Sequence, residues 1–137
     1  MIRIAAVALV VAAAIAAGTA GAARRPPGPA AVVRAWTAAL DRDDNEAAAN
    51  LFAKNAVVVQ NGLKLVLFTH HIAVLWMEGL PCSARIVKMT VKGDIADTTF
   101  VIGNRRKIKC DAPGIKARAI FRVRKGKIVA WAQVAVA

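Results

Sequence analysis

The chain of 137 residues contains no tyrosine, and its aromatic share is only 5%. Catalysis by a phenolic acid or donor is thereby excluded. Only two histidines occur, and they are neighbours, His70 and His71. Adjacent residues on a helix point about 100° apart, so the pair cannot grip one ion from one face. The two cysteines, Cys82 and Cys110, are too few and too far apart for a zinc cluster. HExxH, CxxC, a phosphate-binding glycine loop and a nucleophile elbow are all missing. No cofactor and no metal site is expected. Acidic residues are also scarce, 8 Asp and Glu against 20 Lys and Arg, for a net charge of +12.

The charge is unevenly placed. Asp41, Asp43, Asp44 and Glu46 form an acidic cluster, while most Lys and Arg follow Arg85. A basic half attracts polyanions of any kind. Arg105, Arg106, Lys107 and Lys109 are its densest stretch, and weak, non-specific polyanion or envelope-surface contact is expected there. Aromatic residues do not interleave with these cations as in nucleic-acid platforms, so sequence-specific nucleic-acid binding is not expected.

Residues 1–23 have the layout of a secretory signal peptide: a positive start at Arg3, an apolar run from Ile4 to Ala17, then small residues. An uncleaved N-terminal membrane anchor is the alternative. Residues 24–29, RRPPGP, read as a linker because Pro-Pro and Gly-Pro join neither helix nor sheet interior. Residues 30–137 then form one domain, secreted, or periplasmic and held in the cell envelope. In an oxidising compartment Cys82 and Cys110 are expected to form a disulfide, contributing ~3–4 kcal/mol in the chain-entropy model.

The stretch from Ala30 to Asn61 organises the domain. Val32, Val33, Trp36, Ala39 and Leu40 recur at helical spacing and form one apolar stripe. Asp43 with Glu46 has the form of a capping box opening a second short helix over Ala47–Ala53. Val57, Val58 and Val59 suit a strand. Asn61-Gly62 is a turn signal, and Leu63 to Phe68 continues as a strand. Thr69 suits an N-cap for a third helix over His70–Glu78, which Gly79 and Pro81 end. Two hairpins follow. Pairing Lys92 with Ile95 sets Val87 opposite Phe100 and Arg85 opposite Ile102, which aims Arg85 inward. Pairing Arg124 with Lys127 sets Phe121 opposite Ala130 and Ala119 opposite Ala132. Trp131 then lies on the reverse face with Arg118, Ile120, Arg122, Val129 and Gln133. Helices first and long antiparallel strands after argue an α+β domain.

Trp36-Thr37-Ala38-Ala39-Leu40, Asp43-Asp44, Leu51-Phe52-Ala53 running into Ala56-Val57-Val58-Val59, and Phe121 to Ile128 followed by Trp131 carry a resemblance. Over residues 30 to 137 the chain resembles the nuclear transport factor 2-like, or SnoaL-like, proteins. The resemblance implies a cone, with three N-terminal helices packed on a curved, mostly antiparallel sheet around a pocket, and often a homodimer through the sheet. Its members include cyclases, isomerases, hydrolases and binding modules, so fold decides little about activity.

The expected role is an exported binding module for a small apolar or anionic ligand or a protein partner. Trp36, Trp76, Arg85, Met89 and Phe100 are the pocket candidates. Turnover of the hydrolase, isomerase or cyclase kind is the alternative, with Arg85, His71 and Asp111 as its groups. Trp131, framed by Arg118, Ile120, Arg122, Val129 and Gln133, is the expected centre of a homodimer or partner interface.

Overall fold

A computed structural model describes residues 24–137; the signal-peptide reading of residues 1–23 lies outside the described residues. Helix α1 spans Pro29–Asp41 and α2 spans Asn45–Asn50. Strands β1, Phe52–Gln60, and β2, Leu63–Leu67, follow, then helix α3, His70–Glu78. The remaining strands are β3, Cys82–Lys92; β4, Ile95–Asn104; β5, Lys116–Arg124; and β6, Lys127–Val134. They form one six-stranded sheet in the order β2-β1-β6-β5-β4-β3. Every pairing is antiparallel except β1 with β6. The helices are not all N-terminal to the sheet, because α3 enters only after β2.

Local chemistry explains the elements. Pro29 starts α1, where its missing N–H costs nothing. The Val32, Val33, Trp36 and Leu40 stripe is fully buried against the sheet. Asp44, rather than Asp43, caps α2, accepting from Ala47 N at 2.9 Å. Thr69 caps α3 through Ile72 N at 3.2 Å. Asn61 and Gly62 both adopt positive φ, 52° and 75°, as a tight hairpin requires. β1 begins at Phe52, earlier than the valine run suggests, and Asn55 at φ 63° marks an irregularity in its pairing with β6.

Two β-bulges alter the expected registers. In β3 the pairing skips Val87, so Ile86 faces Phe100 and Arg85 faces Val101. In β6 it skips Val129, so Val123 faces Ile128 but Arg122 faces Ala130 and Phe121 faces Trp131. One extra residue reverses every side chain beyond it. Arg85 therefore points outward and is exposed, correcting its inward placement. Trp131 turns inward and is 6% exposed, which corrects its placement on the reverse face. Gln133 turns with it, while Ala130, Ala132 and Val134 take the outer face beside Arg118, Ile120 and Arg122.

The core is an aromatic cluster between the inner face of the sheet and the helices. Trp36 meets Phe121 edge-on at 5.4 Å, and Trp76 meets Trp131 at 5.1 Å. Such edge-to-face pairs each add ~0.5–1.5 kcal/mol beyond the area they bury. The expected Cys82–Cys110 disulfide is present and fastens the β4–β5 connection to the start of β3.

That connection is also held by a buried arginine. The Arg105 side chain is 0% exposed, and its Nε lies 2.8 Å from Asp43 Oδ1 in the α1–α2 turn. The two are close enough for a charge contact, although their angle falls outside hydrogen-bond geometry. The guanidinium donates to Met77 O at 2.7 Å and Leu80 O at 2.9 Å, and also to Asn45 Oδ1. Arg105 thus satisfies carbonyls at the C-terminal end of α3, where a cation suits the helix dipole. It is removed from the basic surface to which the sequence assigned it; Arg106, Lys107 and Lys109 remain exposed.

Candidate functional site

The inner face of the sheet is lined by large side chains at one end and small ones at the other. Ala84, Ala117 and Ala119 occupy inward positions on β3 and β5, beside a space that no residue of α1, α2 or α3 lines. A cavity of about 500 Å³ results. Its most buried walls are Ala119, Phe100 and Trp131, 2%, 3% and 6% exposed. Gln60, Asn61 and Gln133 line it from β1, the β1–β2 turn and β6. Cys82, Asp111 and Ala112 bound it on the side that the disulfide fastens. This volume lies within the range of small-molecule sites.

Trp36 and Trp131 differ in their hydrogen bonding. The Trp36 indole N–H donates to Met77 Sδ at 3.4 Å. The Trp131 indole N–H is buried and has no acceptor in the protein. A buried donor without a partner costs ~1–3 kcal/mol, which the packing of the Trp131 ring against Trp36, Trp76 and Phe121 has to offset.

Charge in the cavity is sparse. Asp111 is the one carboxylate among its lining residues. Asp111 Oδ1 lies 3.4 Å from Cys82 Sγ, but that sulfur is in the disulfide and has no proton to donate. Cys82, Cys110 and Asp111 are the group of metal-capable side chains among the described residues. Both sulfurs are committed to each other, which leaves a single carboxylate and no ligand set for a metal.

Arg118 borders the cavity, yet its guanidinium is engaged elsewhere. Nε and one terminal nitrogen hold Asp97 at 2.8 and 2.7 Å, and the other donates to Ala135 O at 3.2 Å. The hydrogen bond from Arg118 holds the Asp97 carboxyl below its ordinary pKa and raises that of Arg118. This pair lies in a second groove, about 550 Å³, on the outer face. That groove is lined mainly by charged and polar side chains around a satisfied ion pair, whereas the inner cavity has buried aromatic walls, so the inner cavity is the stronger candidate.

The residues singled out from sequence are dispersed. Phe100 lines the cavity, Trp36 lies in the core behind it, and Trp76 packs against Trp131. Met89 packs on the core without lining the cavity. Arg85 and His71 are exposed and do not line it, so Arg85, His71 and Asp111 form no constellation. His70 is paired at 2.5 Å with Glu46 Oε2. Sequence reasoning missed Gln60, Asn61 and the three alanines, and put Trp131 and Gln133 on the wrong face. A signal for the last error exists: Ile128 and Trp131 are large apolar residues three apart, a spacing that only a bulge turns to one side of a strand.

A curved sheet, with helices on one face closing around a cavity at its open end, matches known architecture. The fold is nuclear transport factor 2-like. A candidate polyketide cyclase of Sinorhizobium meliloti aligns at 21% identity over 76% of this chain and 94% of its own, with a TM-score of 0.61. A nuclear transport factor 2-like protein of unknown function from Cytophaga hutchinsonii aligns at 17% identity over 75% and 85%, with a TM-score of 0.61. A ketosteroid isomerase-like protein of Catenulispora acidiphila, in complex with trimethylamine, aligns at 19% identity over 80% and 87%, also at 0.61. No family model and no curated relative matches the sequence, so the likeness is one of fold. Among the described residues no helix is long and apolar enough to cross a membrane.

Proposed function

We propose that the protein is a binding module that holds a small neutral molecule in the inner cavity, against the rings of Phe100 and Trp131. The observation that carries this reading is a cavity of about 500 Å³ whose walls are two buried aromatic rings and three alanines, with a single carboxylate among its lining residues. Gln60, Asn61 and Gln133 line the same space, and a carboxamide serves as donor or acceptor according to its orientation. The anionic ligand expected from an inward Arg85 loses its basis, because Arg85 points away and Asp111 opposes negative charge at the cavity. The disulfide supports an oxidising, extracytoplasmic location. A homodimer would use the outer face around Ile120, Val57 and Val59, since Trp131 is turned inward. Polyanion contact through Arg106, Lys107 and Lys109 would be weak and lost in moderate salt.

Turnover is the second reading, favoured by Asp111 as a carboxylate in the lining and by the cyclase name of one structural neighbour. It would need a proton acceptor within reach of the bound molecule.

Nuclear magnetic resonance of the three tryptophan indole N–H groups tests the binding reading. Cyclohexanone should move the Trp131 signal, identified by its loss in W131F, while cyclohexanecarboxylate should leave it in place. Ala117→Leu, which fills the cavity, should abolish the response without unfolding the chain. An unmoved Trp131 signal, or an equal response in A117L, would refute it.

A further inference from the structure

The sheet carries a dense group of cations at one end. Ile95 pairs with Arg122, Phe52 with Ile128 and Ala56 with Leu67. Those registers bring the β3–β4 and β5–β6 turns, the start of β1 and the end of β2 to one edge of the sheet. Lys54, Lys92, Arg122, Arg124, Lys125 and Lys127 are all exposed there. Asp94 is the one carboxylate on these segments, and Arg122 and Arg124 share it at 3.7 and 3.1 Å. Glu46, on the neighbouring α2, is held by His70 at 2.5 Å. The cavity lies at the opposite end, beside Gln60, Cys82 and Gln133.

Two other features meet this basic end. Phe68, just past β2, is 57% exposed and shares a groove with Lys54, Lys127 and His70. Exposed aromatic surface set among cations is the composition of a contact with a membrane surface. The linker is the second feature. Gly126 has φ 76° and no side chain, and a Cβ there would lie 3.0 Å from Pro27 Cδ. Pro26 and Pro27 thus rest on the β5–β6 turn, and Arg24 and Arg25, both exposed, bring further charge beside it. The uncharged run of residues 4–23 ends immediately before Arg24. From Arg24 to Pro27 the chain reaches at most ~10 Å, so a bilayer that this run enters lies next to the basic end.

We infer that this end of the sheet docks on a bilayer of anionic lipids, with its cations against the headgroup phosphates and Phe68 among the headgroups. Each Lys or Arg near such a surface tightens attachment about fivefold, and the cations far outnumber the shared carboxylate. A soluble polyanion would draw on the same charge, yet it would leave Phe68 in water and has no connection with the apolar run. Docking in this orientation turns the cavity away from the lipid.

Brief acetylation of the whole chain on vesicles by a water-soluble reagent, with each lysine read by mass spectrometry, tests the inference. On phosphatidylcholine vesicles containing about one-third phosphatidylglycerol, Lys54, Lys92 and Lys125 should react about fivefold more slowly than on phosphatidylcholine alone. Lys64 and Lys116, exposed toward the cavity end, should keep their rates. The apolar run is present with both lipids, so its own attachment cancels. Salt at about 1 M, which shortens the screening length to ~3 Å, should remove the protection. Phe68→Ser should weaken it, with circular dichroism checking the fold. Unchanged rates at Lys54, Lys92 and Lys125, or equal slowing at Lys64 and Lys116, would overturn the inference. Protection that F68S leaves intact would also overturn it, as a charge effect without docking. A heparin fragment that shields the same lysines better than the vesicles do would assign this end to a soluble polyanion instead.

Discussion

Replacing Arg105 with Met tests the most consequential contact in the fold. The guanidinium is fully buried, and Asp43, its counter-charge, is 7% exposed. Met keeps much of the apolar volume but leaves the Asp43 carboxylate alone and the Met77 and Leu80 carbonyls without their charged donor. Breaking one side of a buried ion pair costs ~3–5 kcal/mol. The two lost carbonyl bonds, each ~1.5–3 kcal/mol when charged, overlap with that figure and place the loss at its upper end. Against a total stability of ~5–15 kcal/mol for a single domain, this is a large share. Urea unfolding followed by circular dichroism should show a much lower midpoint with an unchanged slope. Arg105→Lys should recover little, because one ammonium cannot serve acceptors spread around a planar fork. The double variant D43N/R105M should be less damaged than the sum of its parts, by ~1–3 kcal/mol, since no lone charge remains. A loss below ~1 kcal/mol for R105M would refute the account, and Arg105 would be a surface residue as its sequence neighbours suggest.

Two further expectations concern the outer face. Because the Arg118 hydrogen bond lowers the Asp97 pKa in the folded state, the pair's stabilisation is present above the unfolded value, about 3.9, and is lost as pH falls through the folded one. The melting-temperature advantage of wild type over D97N should therefore be level near neutrality and shrink below about pH 4; growth of the advantage on acidification would contradict the sign. Its size should be small, since both side chains are about one-third exposed at 34% and 28%. If the protein dimerises, Ile120→Asp on the outer face should shift it to monomer in sedimentation with its circular dichroism spectrum unchanged. A dimer that survives I120D would use another surface.

Much of the chain's architecture was legible locally. The Asn61-Gly62 turn, the Thr69 cap, the Gly79 stop and the two hairpin turns each depend on backbone sterics and hydrogen bonds within a few residues. The α1 stripe needs only helical spacing, and Cys82 and Cys110 had no other cysteine to choose. What escaped depends on groups distant in sequence. The bulges at Val87 and Val129 are settled by which neighbouring strand offers a place for Ile86 or Trp131, and strict alternation cannot reveal them. Arg105 reads as one cation in a basic run, and becomes buried only because Asp43, Asn45, Met77 and Leu80 converge on it from two other segments. The cavity is more remote still from sequence: nothing local to Ala84, Ala117 and Ala119 tells that no residue of the three helices lines the space beside them. Sequence alone determined where the chain turns, caps and alternates, because those choices are settled by nearby atoms. Tertiary structure decided which face Trp131 takes and whether space remains beside it, because burial is a property of all the segments that meet there.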